Sequence, residues 1–406
     1  MSHRAHAATP AGADLAEPTV DLVVASLEAW DDMWRRNQHL VAGLLRARPR
    51  LRVLFVEPPA DPLHALIRRG PPRRGDGLRP GPPLDGVGDG RLWLLQLTKP
   101  LPRRLDPHAD RRLARGVQRA SRRLGMKVGA LWVNDPSAAA WLEVTAWPAL
   151  YDITDDWTAA HRNRAEAERL VANERLLLDR CVEVTVCSPA LAERKQGCAP
   201  TTLITNGVDL ALYRTPAPRP ADLPAGRLVV YVGTIHRDRF DVDACAATAR
   251  ALTARGTSTK ATVVLVGPAL LDAVDDQALR SAGVVVLGPR PFDSVPAYLQ
   301  HADVLLVPHI VDAFTDSLDP LKLYEYRAVG RPVVSTPVAG FRDSTSALVT
   351  TVPAAAFGEA VADVLERTPR GAGLGPVDGD VPTWDTQVTR FGDVLDRLRR
   401  PVPTRP

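Results

Sequence analysis

Cysteine is scarce in this chain, and its four residues (Cys181, Cys187, Cys198, Cys245) show neither a CxxC pair nor a His-linked metal spacing. That excludes a disulfide framework and reads as buried thiols in a reducing compartment. Long apolar runs are also missing: none approaches the ~18–20 residues needed to span a bilayer. The first residues, MSHRAHAATPAGADLAEP, lack the apolar segment of a signal peptide. The expectation is a disordered tail over residues 1–19 and a cytoplasmic protein. Aromatic residues make up 5% of the chain and do not interleave with its basic clusters, so nucleic acid is not an expected partner.

What is present is a repeated strand–helix alternation. The 406 residues suffice for two or three domains. DLVVAS (21–26) and RVLFVE (52–57) read as buried parallel strands, with the helical segment WRRNQHLVAGLLRA between them. Residues 71–90 are rich in Pro and Gly and read as a loop. ALWVN (130–134), PALYDI and EVTVCS (183–188) continue the alternation, with a long helix near 159–180. After the Pro-rich stretch 214–226 it restarts: LVVYVGT, ATVVLVG, GVVVLG, DVLLVP and RPVVST are five apolar strands with helices between them. Two such arrays imply an α/β protein of two doubly wound domains facing one another. The expected limits are 20–208 and 209–383, with a helix over 384–400 positioned to cross back to the first domain.

One stretch, 319-DPLKLYEYRAVGRPVVST-336, carries a local anomaly. Asp319 suits an N-cap, Pro320 the first helical position, and Gly330 the position past the helix end. Lys322 then falls in the first turn, where the positive end of the helix dipole disfavours a cation. Solvent exposure, with pairing to Glu325 at i,i+3, is the plain explanation. An anion bound at the helix N-terminus is the functional one, since a diphosphate would reverse the electrostatic cost.

These motifs resemble a glycosyltransferase of the GT-B fold, in the broad group of bacterial family-4-like enzymes, over residues 20–400. NGVD (206–209) is similar to the tetrapeptide that opens the second domain in such enzymes. ADVLLVPH (302–309) and KLYEYRAVGRPVVST are similar to their donor-site signature. The Pro-x-Lys form of Pro320 and Lys322 resembles enzymes that make teichuronic acid or xanthan-type polysaccharides. The signature's upstream acid is absent, and Ser317 stands in its place. A diphosphate at that helix end would pair with Lys322; the resemblance implies that Glu325 accepts hydrogen bonds from the ribose hydroxyls, and Leu323 is counted with them on the donor side. Gly233, at the end of the first strand of the second half, would let the backbone approach the ligand, with His236 or Arg237 in reach of the phosphates. Arg290, in Gly288-Pro289-Arg290, would lie beside the base.

The acceptor side is expected in the first domain. Its most polar constellation, 151-YDITDDWTAAHR-162, resembles the segment that holds the base of xanthan-type enzymes. Asp155 is the first candidate, with Asp156 and Asp152 behind it; one of them serving as a helix cap is the structural alternative. Asn134 and Asp135 end the strand ALWVN. SLEAWDDMWRRNQ follows the first strand where relatives carry a glycine-rich loop, so Arg35 or Arg36 would replace that loop electrostatically, with His39 nearby. The helix near 108–124 sets Leu113, Val117, Ala120 and Leu124 on one stripe among six arginines. Those arginines are either a solvated face or an attachment to anionic lipid.

The expected activity is transfer of a hexose from a nucleotide diphosphate sugar (UDP, GDP or dTDP type) to a hydroxyl of a saccharide, lipid-linked glycan or small molecule. No cofactor or metal is expected, because this fold meets the leaving diphosphate with a helix dipole and cationic side chains. The alternatives are a non-catalytic nucleotide-sugar binder or partner subunit, motivated by Ser317, and an epimerase on the same fold.

Overall fold

The computed structural model describes residues 21–67, 71–159, 163–195, 201–255, 261–371 and 374–398. Residues 1–19, His161, Arg162 and Cys198, all part of the readings above, lie outside the described residues.

Runs of β-branched residues closed by Gly, Pro or Asn become short buried strands, and amphipathic segments between them become the crossover helices. The first lobe runs β1 (Asp21–Ala25), α1 (Arg36–Ala47), β2 (Arg52–Val56), α2 (Pro62–Ile67), β3 (Gly77–Pro80), β4 (Leu92–Gln96), α3 (Ala109–Arg123), β5 (Val128–Val133), α4 (Trp141–Thr145), β6 (Ala149–Ile153), α5 (Arg164–Arg180), β7 (Glu183–Val186), α6 (Pro189–Arg194) and β8 (Thr201–Leu203). These strands form one sheet in the order β3-β4-β2-β1-β5-β6-β7-β8. Every pair is parallel except β3–β4.

The second lobe runs α7 (Leu210–Arg214), β9 (Arg227–Val232), β10 (Ile235–His236), α8 (Val242–Ala254), β11 (Ala261–Val266), β12 (Ala269–Leu270), α9 (Ala273–Ser281), β13 (Val285–Gly288), α10 (Val295–Gln300), β14 (Val304–Val307), α11 (Leu321–Val329), β15 (Val333–Ser335), β16 (Val349–Thr351) and α12 (Phe357–Arg367), before the final α13 (Trp384–Leu398). Its main sheet is parallel, in the order β13-β11-β9-β14-β15-β16, and β10 and β12 pair as a separate ribbon.

Each sheet is apolar on both faces, which is what helices on both sides require. In the first lobe Val23, Leu54 and Leu131 face Ala114, Val117 and Leu177 of α3 and α5. On the other face Leu22, Val53 and Trp132 meet Leu40 and Leu44 of α1 and Phe391 and Leu395 of α13. Thus α13 packs on the first lobe, where Phe391 lies 4.4 Å from the Trp132 ring. Arg48–Asp396 (2.8 Å) and Arg397–Glu183 (2.9 Å) flank that contact. In the second lobe, α8 and α12 cover one face of the sheet and α10 and α11 the other.

Two local readings change. Residues 77–80 are a strand within the segment read as a loop, pairing antiparallel to β4 at the sheet edge. Proline is tolerated there because an edge strand leaves one row of N–H groups without a ladder partner. At the head of α11 the N-cap position belongs to Pro320, and Asp319 turns instead toward Asn206, in the segment between β8 and α7. Its carboxylate accepts bonds from the Asn206 N–H and the Tyr324 hydroxyl, both at 2.5 Å. Burial pushes its pKa up to about 6.

The order of the strands places the functional crevices. In the first lobe the chain builds outward from β1 and then resumes on its other side with β5; in the second it does the same at β9 and β14. At such switch points the loops leave in opposite directions and open a crevice at the carboxyl ends of the strands.

Candidate active site

A cavity of about 430 Å³ lies between the lobes, lined by both switch-point loops. From the first lobe come Glu28, Met33, Trp34 and Arg35, all beyond β1. The second lobe contributes Gly233, Thr234 and His236 after β9, Asp238 and Arg239 after β10, Gly267 and Pro268 after β11, Arg290 after β13, and Lys322 and Glu325 from α11.

Lys322 is the centre of the second-lobe wall. Its ammonium lies 5.0 Å from the centroid of the Tyr231 ring and rests on the backbone of Gly233. A Cβ at position 233 would sit 2.5 Å from Nζ and 2.7 Å from Cε. Gly233 also has φ +147°, a conformation that side-chain-bearing residues avoid. Behind it Gly267 (φ +140°) is pressed against the Gly233 carbonyl, so both glycines are required by close approach. Among the described residues Lys322 forms no ion pair; the i,i+3 pairing with Glu325 is not made. Burial, reinforced by Arg239 and opposed by Glu325, lowers its pKa from 10.5 to about 8.

Glu325 accepts a 2.7 Å hydrogen bond from the buried Tyr213 hydroxyl of α7. Burial raises its pKa, against the pull of that bond and of Lys322. His309, after β14, is buried and joined to the Tyr231 hydroxyl at 3.2 Å. Burial, with Lys322 and Arg239 nearby, holds its pKa well below the ordinary value, so it is neutral. The cationic character of this wall therefore rests on Lys322, Arg239, Arg290 and the dipole of α11.

Several residues chosen from the sequence lie elsewhere. Arg237 turns away to Asp275 (3.0 Å), and its neighbour Arg239 lines the cavity. Arg290 reaches the cavity while bound to the Tyr298 hydroxyl (2.9 Å) and Asp222. Leu323 packs under Gly340, away from the cavity. Ser317 is fully buried in the seam between lobes. Its hydroxyl donates to the Phe314 carbonyl (2.7 Å) and accepts from the Asp156 N–H (3.3 Å), while its carbonyl accepts from Ser188 Oγ (2.7 Å).

On the first lobe, Asp152 is buried in a bidentate pair with Arg36 (3.2 Å to each oxygen) and accepts from Thr185 Oγ1 at 2.7 Å. Arg36 continues to the Thr205 carbonyl (3.1 Å), so the pair ties β6 to the segment between β8 and α7. Asp156 is held by Arg194 (3.1 Å), Lys195 (3.7 Å) and Thr158. Burial raises its pKa, but these three groups outweigh burial and lower it. Asn134 bonds Asn37 (2.8 Å) and the Asp152 carbonyl (3.1 Å), and Asp135 caps the turn at 136–140 through the Ser137 N–H (2.8 Å). His39 stacks on Trp384 at 4.4 Å and meets Phe292 of the second lobe at 5.0 Å. Burial lowers its pKa to about 3, so it is an aromatic spacer. Burial raises the pKa of Asp155, with Arg239 and the Thr154 hydroxyl opposing.

Glu28, Arg239 and His309 were not singled out from the sequence. A signal was available for each: Glu28 follows the first strand, Arg239 stands in HRDRFD, and His309 ends the strand of ADVLLVPH. The switch-point rule marks those strand ends without saying which side chain turns inward. Among the described residues no group of three or more His, Cys, Asp or Glu side chains is placed to hold a metal. No helix among them is long and apolar enough to cross a membrane.

Residues 226–367 match the family described as "Glycosyl transferases group 1". A curated relative, the "Putative teichuronic acid biosynthesis glycosyltransferase TuaH" of Bacillus subtilis (strain 168), is 26% identical over 221 residues, 51% of this chain and 55% of that protein. The match therefore spans about half the length of that relative. Solved structures extend the likeness to nearly the whole chain. An alpha,alpha-trehalose-phosphate synthase (UDP-forming) from Burkholderia vietnamiensis superposes with a TM-score of 0.61 at 13% identity, covering 94% of this chain and 99% of that one. An E. coli structure titled as trehalose-6-phosphate bound with UDP-2-fluoro glucose gives 0.60 at 12%, covering 93% and 95%. A glycosyltransferase involved in avilamycin A biosynthesis gives 0.55 at 15%, covering 94% and 98%. At these identities the likeness establishes the fold: the chain has the two-lobed GT-B architecture.

Proposed function

We propose that the protein is a glycosyltransferase that moves a hexose from a nucleotide diphosphate sugar to a hydroxyl of a saccharide, lipid-linked glycan or small-molecule acceptor. The observation that carries this reading is Lys322. A half-buried ammonium with no ion-pair partner among the described residues costs free energy. Placed on a glycine backbone beside the N-terminus of α11, it is poised to recover that cost when a diphosphate binds. Arg239 joins it on the same wall, and Glu325 lies one helical step along α11, suited to accept from ribose hydroxyls. Cations and a helix dipole facing the leaving diphosphate make metal-independent transfer the economical mechanism. Closure of the lobes would exclude the water that otherwise hydrolyses the donor.

Attachment to an anionic membrane surface is part of the proposal. On α3 Val117, Ala120 and Leu124 pack inward, while Arg115, Arg119, Arg122 and Arg123 are exposed and have no acidic partner among the described residues. Such a face suits anionic headgroups and an acceptor carried on lipid.

The test is a screen of UDP-, GDP- and dTDP-sugars by thermal shift, followed by detection of nucleoside diphosphate release and NMR of the product linkage. Release abolished in Lys322→Ala supports the reading. Stabilisation by a nucleotide with no turnover of any donor would identify a binder instead.

A further inference from the structure

We propose that Glu28 is the group that takes the proton from the acceptor hydroxyl; the inference rests on the transferase reading and extends it to the first lobe. Glu28 is the one carboxylate of the first lobe that lines the cavity among the described residues. The acids of 152–156 lie behind it: Asp152 and Asp156 are committed to Arg36, and to Arg194 and Lys195, and Asp155 is not part of the lining.

The loop that presents Glu28 is braced by polar side chains of its own and by Glu57 beyond β2. The Glu28 N–H donates to Ser26 Oγ (3.1 Å) and the Trp30 N–H to the Glu57 carboxylate (3.0 Å). Asp31 accepts from the Met33 N–H (3.0 Å) and from Arg35 (3.1 Å), while Gln38 closes the segment by donating to the Asp31 carbonyl (3.0 Å). Arg35 is thereby fixed with Nε 3.3 Å from the Glu28 carboxylate. A carboxylate aimed by a rigid loop, opposite the cations that gather the diphosphate, is where a base for an incoming hydroxyl belongs.

The groups facing Glu28 tune it. Asp31 and Arg35 come from its own loop, Asp155 from the loop after β6 and Arg239 from the second lobe; Lys322, Glu325, His236 and Asp238 share the cavity. Burial against these walls pushes its pKa up from 4.5 to about 7, with Arg35 and Arg239 pulling down and Asp155 and Asp31 adding to the rise. A base with proton affinity near the working pH is efficient. In the step, the acceptor oxygen bonds to the anomeric carbon as its proton passes to Glu28. The bond from that carbon to the phosphate oxygen breaks, its electron pair leaves on the nucleoside diphosphate, and Glu28 returns the proton to solvent. In this scheme Asp155 is a positioning residue that keeps the proton affinity of Glu28 high.

The experiment measures nucleoside diphosphate release, with water or an added monosaccharide as acceptor, from whichever donor sugar the wild type turns over. Glu28→Gln is expected to keep nucleotide binding by thermal shift and lose at least about 100-fold in kcat. Glu28→Asp should recover part of it. The wild-type profile should fall on the acid side near pH 7. Asp155→Asn should move that limb to lower pH and Arg35→Gln to higher pH, shifts that a merely structural role would not produce. A Glu28→Gln enzyme within threefold of wild type, or an acid limb unmoved by both neighbouring changes, would overturn the assignment. A wild type that binds nucleotides yet turns over no donor would overturn the transferase reading, and this inference with it.

Discussion

Replacing Lys322 with methionine should make the free protein more stable and its nucleotide binding weaker. Methionine keeps most of the aliphatic stem that packs on Gly233 and Tyr231 while removing the charge. In the folded protein the ammonium titrates at about 8, against 10.5 ordinarily. Each pH unit of such a difference is worth about 1.36 kcal/mol, so holding the cation there costs at most ~3.5 kcal/mol. The sign follows from a lowered lysine pKa. Below pH 8 both folded and unfolded chains carry the proton and the full cost is present; between 8 and 10.5 the unfolded chain alone carries it, and the cost fades. Lys322→Met should therefore raise the unfolding midpoint of the unliganded protein by a few degrees at pH 7, with the advantage shrinking toward pH 10.

A bound diphosphate reverses this balance. Removing one charge-assisted hydrogen bond should cost about 1.5–3 kcal/mol, roughly 10- to 150-fold in nucleotide affinity. In the wild type the affinity should also weaken above pH 8, where binding must first recharge the amine. Thermal denaturation at pH 7 and 9.5, with and without the best nucleotide of the screen, measures both effects. A variant that is less stable than wild type at pH 7, or that responds to nucleotide as strongly as wild type, would refute the account of Lys322.

Asp152→Asn should destabilise the first lobe by about 3–5 kcal/mol in urea denaturation, because it leaves the buried Arg36 guanidinium without its counter-ion. Changing Asp152 to Leu and Arg36 to Met together should recover part of that loss. His39→Phe should be nearly neutral at pH 7.5. Because the His39 pKa is lowered to about 3, only the unfolded chain gains its proton as pH falls below 6.5, so the phenylalanine variant should gain relative stability toward pH 4. Converting Arg115, Arg119 and Arg122 together to Gln should weaken binding to vesicles of equal phosphatidylglycerol and phosphatidylcholine by about 100-fold, from ~1 kcal/mol per arginine. Neutral phosphatidylcholine vesicles should show no difference between the two proteins.

Local chemistry carried the fold and pointed to Gly233, His236, Arg290, Lys322 and Glu325, which line the cavity on its second-lobe side. Periodicity and turn residues are properties of neighbouring positions, so the α/β alternation and its division into two doubly wound arrays were legible before any packing was known. The same holds for the helix at 321–329, its glycine stop and the misplaced cation in its first turn. Edge strand β3 was not legible, because Pro and Gly mark a loop and a sheet edge alike. The acidic run at 152–156 shows the other limit. Strand geometry turns consecutive side chains to opposite faces, but which face meets the cleft depends on what stands across it.

By itself, then, the sequence determined the architecture and the placement of Lys322 in the first turn of α11, since both follow from residue type and short-range spacing. Only the tertiary structure decided the partners of the charged residues. Arg36 and Asp152 are separated by 116 positions, and their pairing turns two candidate site residues into a buried brace. Ser317 and Asp156, 161 positions apart, are joined as a seam between the lobes. Glu28, one acid among several in a loop without special pattern, became the first-lobe acid that reaches the cavity, among the described residues, because the sheet order opens a crevice at the end of β1. Proton affinity and pairing depend on burial and on charges brought in from distant segments, and no local pattern encodes which segments those will be.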